Sequence, residues 1–226
     1  LQLSWLASCR DLLEEEPAGQ APCPSKGTFH EEGPVIAKEM LLTSEEQDLL
    51  ASAVGSVWGH YGAQAALDDG RYALVDMYVQ TESGALTIAA KLQELDLEGG
   101  LDEYARIEVQ AGVEGSAAAW RSGSVFFHEQ GRTVTGVLVV RDVVYSTRKS
   151  RPRFEFVAGV GIVFVLDEGA FAVCLGGPFA SDLILTRVDD MESLQLSDTS
   201  ADWGENIMNQ FDFEREFISL TSPRST

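Results

Sequence analysis

The stretch spanning residues 133–175, TVTGVLVVRDVVYSTRKSRPRFEFVAGVGIVFVLDEGAFAVCL, leaves this chain few ways to fold. β-branched and aromatic residues dominate it, and Gly, Pro, Ser and Asp bound three apolar runs, which is the pattern of consecutive strands. The spacing predicts strands over 134–145, 154–166 and 170–175. A basic Ser/Pro turn joins the first two. Asp167-Glu168-Gly169 joins the last two as a tight hairpin, with Gly free to take a positive φ.

Strict alternation along the second strand puts Phe154, Phe156, Ala158, Val160, Ile162, Phe164 and Leu166 on one face. Val157, Val163 and Val165 fall on the other, so both faces are apolar, as in a central strand covered on both sides. Gly159-Val160-Gly161 weakens strand propensity and marks a bend, a bulge or a close backbone approach. A phosphate-binding GxG closes a strand and opens a helix. This one lies inside a strand, which argues against a dinucleotide site.

The remaining chain is read around that block. Leu3, Leu6, Cys9 and Leu13 give a short helix over 1–16, and the Pro/Gly-rich residues 17–34 form a linker or arm. Thr43-Ser44-Glu45-Glu46 is a capping box, with Thr43 as N-cap and Glu46 at the third helical position. Leu49, Leu50, Ala53, Val54, Val57 and Trp58 then share one face of a helix over 44–58 that covers the sheet. Strands are predicted over 71–81, 85–95, 104–113, 124–127 and 183–188, with Ala89, Lys91 and Glu94 leaving 85–95 open to a helix as well. Residues 189–196 read as a turn or short helix, and 211–220 fit either a final strand or a short helix. The layout is an N-terminal arm (1–34), one domain (35–220) and a tail (221–226). An ungapped echo at an offset of 99, Leu67–Leu74 against Leu166–Val173, raises a duplicated βββ unit. Chance recurrence of acidic Gly turns is the favoured explanation, because a helix precedes one turn and a long strand the other.

The formal net charge is −20, carried unevenly. Residues 116–165 hold 3 acids against 7 bases, whereas 166–226 hold 12 against 3. A field this negative repels nucleic acid and anionic membranes and draws basic partners inward; solubility alone is the plainer explanation. Cys9, Cys23 and Cys174 form no CxxC and no even disulfide framework, which favours a reducing, cytoplasmic setting. Leu6-Ala7-Ser8-Cys9 matches the tetrapeptide that precedes lipid attachment in bacterial lipoproteins, so an anchor at Cys9 is the alternative location. No apolar run is long enough to span a bilayer.

The search for chemistry is sparse. His30, His60 and His128 have no second ligand at helical or hairpin spacing, so neither a metal nor another cofactor is expected. Nucleophile elbows, P-loops and kinase signatures are missing. Tyr145-Ser146-Thr147 and Glu214-Arg215-Glu216 resemble the Ser-Thr-Ser and Glu-x-Glu elements of ADP-ribosyltransferases. The basic turn opened by Ser146-Thr147 already accounts for the first. Arg148, Lys149, Arg151 and Arg153 make that turn basic. It lacks interleaved aromatics, so it reads as edge protection rather than as a nucleic-acid grip.

The expected fold is α+β: a largely antiparallel twisted sheet, or two sheets, with one main helix in the N-terminal half. The leading functional expectation is a non-catalytic acidic protein that neutralises a basic protein such as a toxin or effector, as immunity proteins and inhibitors do. Trp120, Trp203 and Tyr104 supply aromatic contacts, and Asp189, Asp190, Glu192, Asp198, Asp202 and Glu205 the carboxylates. Two alternatives stand beside it. One is an enzyme or ligand binder with a pocket between sheet and helix, near Gly159 and Gly161. The other is a structural or assembly subunit. Oligomeric state is left open.

Overall fold

The computed structural model describes residues 36–63, 65–66, 71–97, 101–112, 125–128, 131–148, 151–196, 199–203 and 209–220. The chain runs β1 (Ile36–Met40), α1 (Ser44–Ala51), β2 (Trp58–Ala63), β3 (Ala65–Ala66), β4 (Arg71–Leu74), β5 (Asp76–Thr81), β6 (Gly84–Asp96), β7 (Leu101–Ala111) and β8 (Val125–His128). It continues with β9 (Val134–Arg148), β10 (Arg151–Leu166), β11 (Ala170–Leu175), β12 (Leu183–Val188) and β13 (Asn209–Leu220). One sheet has the order β13-β9-β10-β11-β12-β4-β3, with β1 added parallel to β10; the other has the order β7-β6-β5-β2-β8. Among the described residues the fold is thus α+β, mostly antiparallel, with two sheets and one α-helix. Among the described residues no helix is long and apolar enough to cross a membrane.

The predicted block 134–175 forms β9, β10 and β11 as successive antiparallel neighbours. At the β10–β11 hairpin Gly169 takes φ 84°, and the Leu166 N–H donates to its carbonyl at 3.0 Å. The Gly159-Val160-Gly161 element is both a bulge and a close approach. The β9–β10 register shifts between Gly159 and Gly161. A Cβ on Gly161 would lie 2.6 Å from the Cys174 sulfur of β11.

That bulge corrects the strict alternation read from the sequence. Along unbroken β9, Ser146, Val144, Asp142, Val140 and Leu138 share a face, and they pair in turn with Phe154, Phe156, Ala158, Gly161 and Val163. Ile162 and Phe164 pair instead with Val139 and Val137, so they leave the face of Phe154 and Phe156 for the opposite one. The extra residue switches the side to which odd and even positions point. Both faces are buried: Phe154 and Phe156 on one, Ile162 and Phe164 on the other.

The Phe164 face joins the two sheets. Trp58 of β2 sets its edge against Phe164 (5.3 Å between centroids) and Phe171 (4.4 Å), and Tyr61 stacks on Phe171 at 5.3 Å. One apolar cluster draws on both sheets, including Met77, Ile88 and Ile107 from the smaller one and Ile162, Leu175 and Leu183 from the larger.

Helix α1 starts as the capping box predicts. The Thr43 hydroxyl accepts from the Glu46 N–H at 3.2 Å, and Glu46 Oε2 accepts from the Thr43 N–H at 2.7 Å. The helix ends at Ala51 rather than near Trp58. Gly55 turns the chain at φ 87°. Residues 55–58 then bond across to 132–134: the Gly55 N–H to Val134 O at 2.8 Å, the Trp58 N–H to Arg132 O at 2.7 Å. Long-range pairing takes over the segment whose local pattern is helical. The two ends of the sequence echo also diverge. β11 continues into β12 in the same sheet, whereas the chain after β4 crosses into the other sheet as β5 and β6.

Candidate functional site

The last strand is the most informative surface element. β13 pairs along its whole length with β9, and no described strand lies on its other side. Its alternation gives two unlike faces. Phe211, Phe213, Arg215 and Phe217 are partly buried, and Asp212, Glu214 and Glu216 are exposed.

The inner face is fastened by charge and by rings. Asp142 of β9 is buried at 5 % exposure and takes a bidentate contact from Arg215, Nε to Oδ1 at 2.6 Å and Nη2 to Oδ2 at 2.7 Å. The Thr199 hydroxyl donates to the same Oδ2 at 2.9 Å. Trp203, in the short 3-10 turn Ser200–Trp203, sits 5.9 Å from Phe211, 6.5 Å from Phe213, 5.8 Å from Phe156 and 5.9 Å from Tyr104. Between these groups lies a cavity of about 20 Å³ lined in part by Asp142, Ala158, Val160, Thr199 and Trp203. That volume suits a single water and no more. Ala158 and Val160 at the Gly159–Gly161 bulge help to line it, with Thr199 and Trp203 rather than any residue of α1.

The outer face is acidic. Asp212 and Glu155 flank Tyr145 from opposite sides, in one row across β13, β9 and β10. Glu214 and Glu216 continue along β13 beside Val143 and Arg141. Burial, then the negative fields of Glu214, Glu155 and Glu216, hold the Tyr145 phenol above its ordinary value of 10.0. None of the four carboxylates makes an ion pair among the described residues.

The carboxylates expected from sequence lie elsewhere. Asp189 and Asp190 line an open groove of about 470 Å³ with Asp167, Glu168 and Arg132. Much of that charge is already countered: Arg132 bonds the Glu168 carbonyl and reaches its carboxylate at 3.7 Å, and Arg187 meets Asp189 at 3.2 Å. Asp190 caps the turn Met191–Ser193 through the Glu192 N–H, and Glu192 is exposed. Asp202 is exposed and stands close to Gly177. Of the aromatics, Trp203 is half-buried and Tyr104, at 6 % exposure, lies against Phe156, Phe179 and Trp203. Arg148 and Arg151 are backbone partners in the register at the end of the β9–β10 hairpin, and Arg153 is exposed. Trp120, Lys149, Asp198, Glu205 and Cys9 lie outside the described residues.

The two triplets that resemble transferase elements lie on paired strands and divide between both faces: Tyr145 and Thr147 share the face of Glu214 and Glu216, and Ser146 shares the face of Arg215. Ser146 pairs with Phe211 and is 1 % exposed, whereas Glu214 and Glu216 pair with Val143 and Arg141 on the opposite face. Among the described residues no three His, Cys, Asp or Glu side chains cluster as a metal site. Burial pushes the Cys174 thiol up to about 12, which leaves it a poor nucleophile.

The sequence missed the outer row because a strand and a short helix fit residues 211–220 equally well, and only the strand puts Asp212, Glu214 and Glu216 on one face. The chain matches no family model, no curated protein and no solved structure.

Proposed function

We propose that this is a non-catalytic acidic binding protein that neutralises a basic protein by covering it, as immunity proteins and inhibitors of basic effectors do. The observation that carries the reading is the row of exposed Asp212, Glu214 and Glu216 with partly buried Glu155, none of them ion-paired within the described residues. Carboxylates that serve architecture acquire partners in the same chain, as Asp142 and Glu46 do. A row left unpaired on a chain of net charge −20 supplies both long-range steering and a contact surface for cations. Helix α1 is assigned an architectural role, the cover over sheet residues that Glu46 ties down. Cytoplasmic residence, without nucleic-acid binding, belongs to the same reading.

The test is affinity capture from the source organism with the wild-type protein and with D212N/E214Q/E216Q/E155Q, washed at low and then high salt. A basic protein held by the wild type at low salt, released at high salt and lost from the variant is the expected result. Equal retention by the variant refutes the assignment of the surface. Failure to hold any basic protein overturns the function.

A further inference from the structure

Resting on that reading, we propose that β13 receives its partner as an added strand: a basic segment, with Lys or Arg at every second residue, pairs along the edge of β13 that no described strand occupies and sets its cations over Asp212, Glu214 and Glu216. Three observations converge on this mode. First, β13 is a 12-residue strand at the end of its sheet, with β9 as its only strand neighbour among the described residues. An edge of that length presents a row of backbone donors and acceptors suited to another chain.

Second, the strand is fastened to the sheet beneath it by charge and by rings. Arg215 is clamped by both oxygens of Asp142, and Phe211 and Phe213 are packed under Trp203. The edge is therefore already in the conformation that an added strand requires, which lowers the entropy lost on binding.

Third, the charge pattern selects the occupant. Alternate residues of a strand lie roughly 6.8 Å apart, so cations at every second position of a neighbouring strand match the carboxylate spacing. A second copy of this chain does not fit. Antiparallel pairing about Glu214 would set Glu214 against Glu214 and Asp212 against Glu216, like charges directly opposite one another. A strand of alternating cations turns each of those repulsions into an attraction.

The experiment uses the full chain and synthetic peptides roughly nine residues long. One alternates Lys and Thr. Another has the same composition with all Lys residues consecutive. Two more are copies of the alternating peptide, each N-methylated on one alternate set of backbone nitrogens. Binding is read by fluorescence anisotropy at low salt, and the contacted amides by hydrogen-exchange mass spectrometry. The alternating peptide is expected to bind and to slow exchange within β13. One methylated copy, the one whose blocked nitrogens face β13, is expected to lose binding while the other keeps it. D212N/E214Q/E216Q is expected to weaken binding by roughly tenfold, three cross-strand charge pairs being removed. Equal binding of the alternating and consecutive-Lys peptides, or equal behaviour of the two methylated copies, overturns strand addition and leaves the acidic-surface reading standing. No binding by any of the cationic peptides overturns both. A dimer in sedimentation at neutral pH that dissociates on E214K would assign the edge to a second copy and would also overturn the proposal.

Discussion

Replacing Glu46 by Gln is a demanding test of how helix, cap and sheet are tied together. The carboxylate is 7 % exposed and serves three donors at once. Oε1 accepts from the Val109 N–H of β7 at 3.1 Å; Oε2 accepts from the Thr43 N–H at 2.7 Å and from Arg106 Nη2. Gln is nearly isosteric but has a single acceptor oxygen, so its amide NH₂ must face at least one of those donors. Hydrogen bonds to a charged acceptor contribute about 1.5–3 kcal/mol, and a buried donor left unmatched costs about 1–3 kcal/mol. The substitution loses one acceptor and weakens the others, which sums to about 2–4 kcal/mol. For a chain of this length that lowers Tm by roughly 5–15 °C.

The same contacts fix the pH dependence. Burial raises the Glu46 pKa, but the hydrogen bonds from the Thr43 and Val109 N–H groups and the Arg106 charge outweigh it and hold the group below its ordinary 4.5. The unfolded chain therefore takes up the proton first as pH falls. The stabilisation by Glu46 is complete above the unfolded value and is lost as pH drops through the folded one. Urea unfolding followed by fluorescence, with Trp58 as the buried reporter, is the assay. The gap between wild type and E46Q should be full at pH 7 and narrow steadily in acid. A cost under about 0.5 kcal/mol at pH 7, or a gap that does not change with pH, would refute the account.

Three further outcomes are expected. Asp142→Leu alone strands the Arg215 guanidinium and should cost about 3–5 kcal/mol, whereas the double variant D142L/R215M should recover most of that loss in a double-mutant cycle; additive costs would deny the coupling. Gly161→Ala puts a methyl 2.6 Å from the Cys174 sulfur and should cost about 1–3 kcal/mol, with C174A restoring stability; absence of rescue in denaturant melts would mean the crowding lies elsewhere. The Tyr145 phenol, identified as the wild type minus Y145F difference in an ultraviolet titration, should ionise above 10.0 and return toward that value in E155Q/E214Q/E216Q. Because the folded value is raised, the unfolded chain loses its proton first, so this group reduces stability as pH climbs above 10.0.

What the sequence revealed follows the range of the interactions involved. The strands of 134–175 were legible because β-branched runs and a Gly turn act locally, and neighbouring strands in sequence became neighbours in the sheet. The capping box was legible for the same reason. The other two Glu46 partners were not, since Arg106 and Val109 lie 60 and 63 residues away. Alternation placed Phe164 beside Phe156, yet counting by twos cannot register a residue that is extra only relative to β9. β1 was missed because Ile36–Met40 mixes Lys and Glu into a short run, and its strand character comes from parallel pairing to residues 154–158. The Asp142–Arg215 clamp spans 73 residues and has no local signature.

The acidic row on β13 follows from that clamp and from the position of the strand. A long edge strand invites pairing with its own copies, and like charges along it oppose that outcome. Three carboxylates at alternate positions, with Glu155 across β9 on the same face, do so while the Arg215–Asp142 contact holds the opposite face in register. A device that only blocked self-association would also work with Lys at these positions. With carboxylates, the same electrostatics that exclude a second copy favour a cationic strand, so solubility and partner choice come from one set of residues. Charge reversal separates the two roles: D212K/E214K/E216K should remain monomeric in sedimentation while losing the alternating Lys peptide. A variant that kept the peptide would show that the row protects the edge and nothing more.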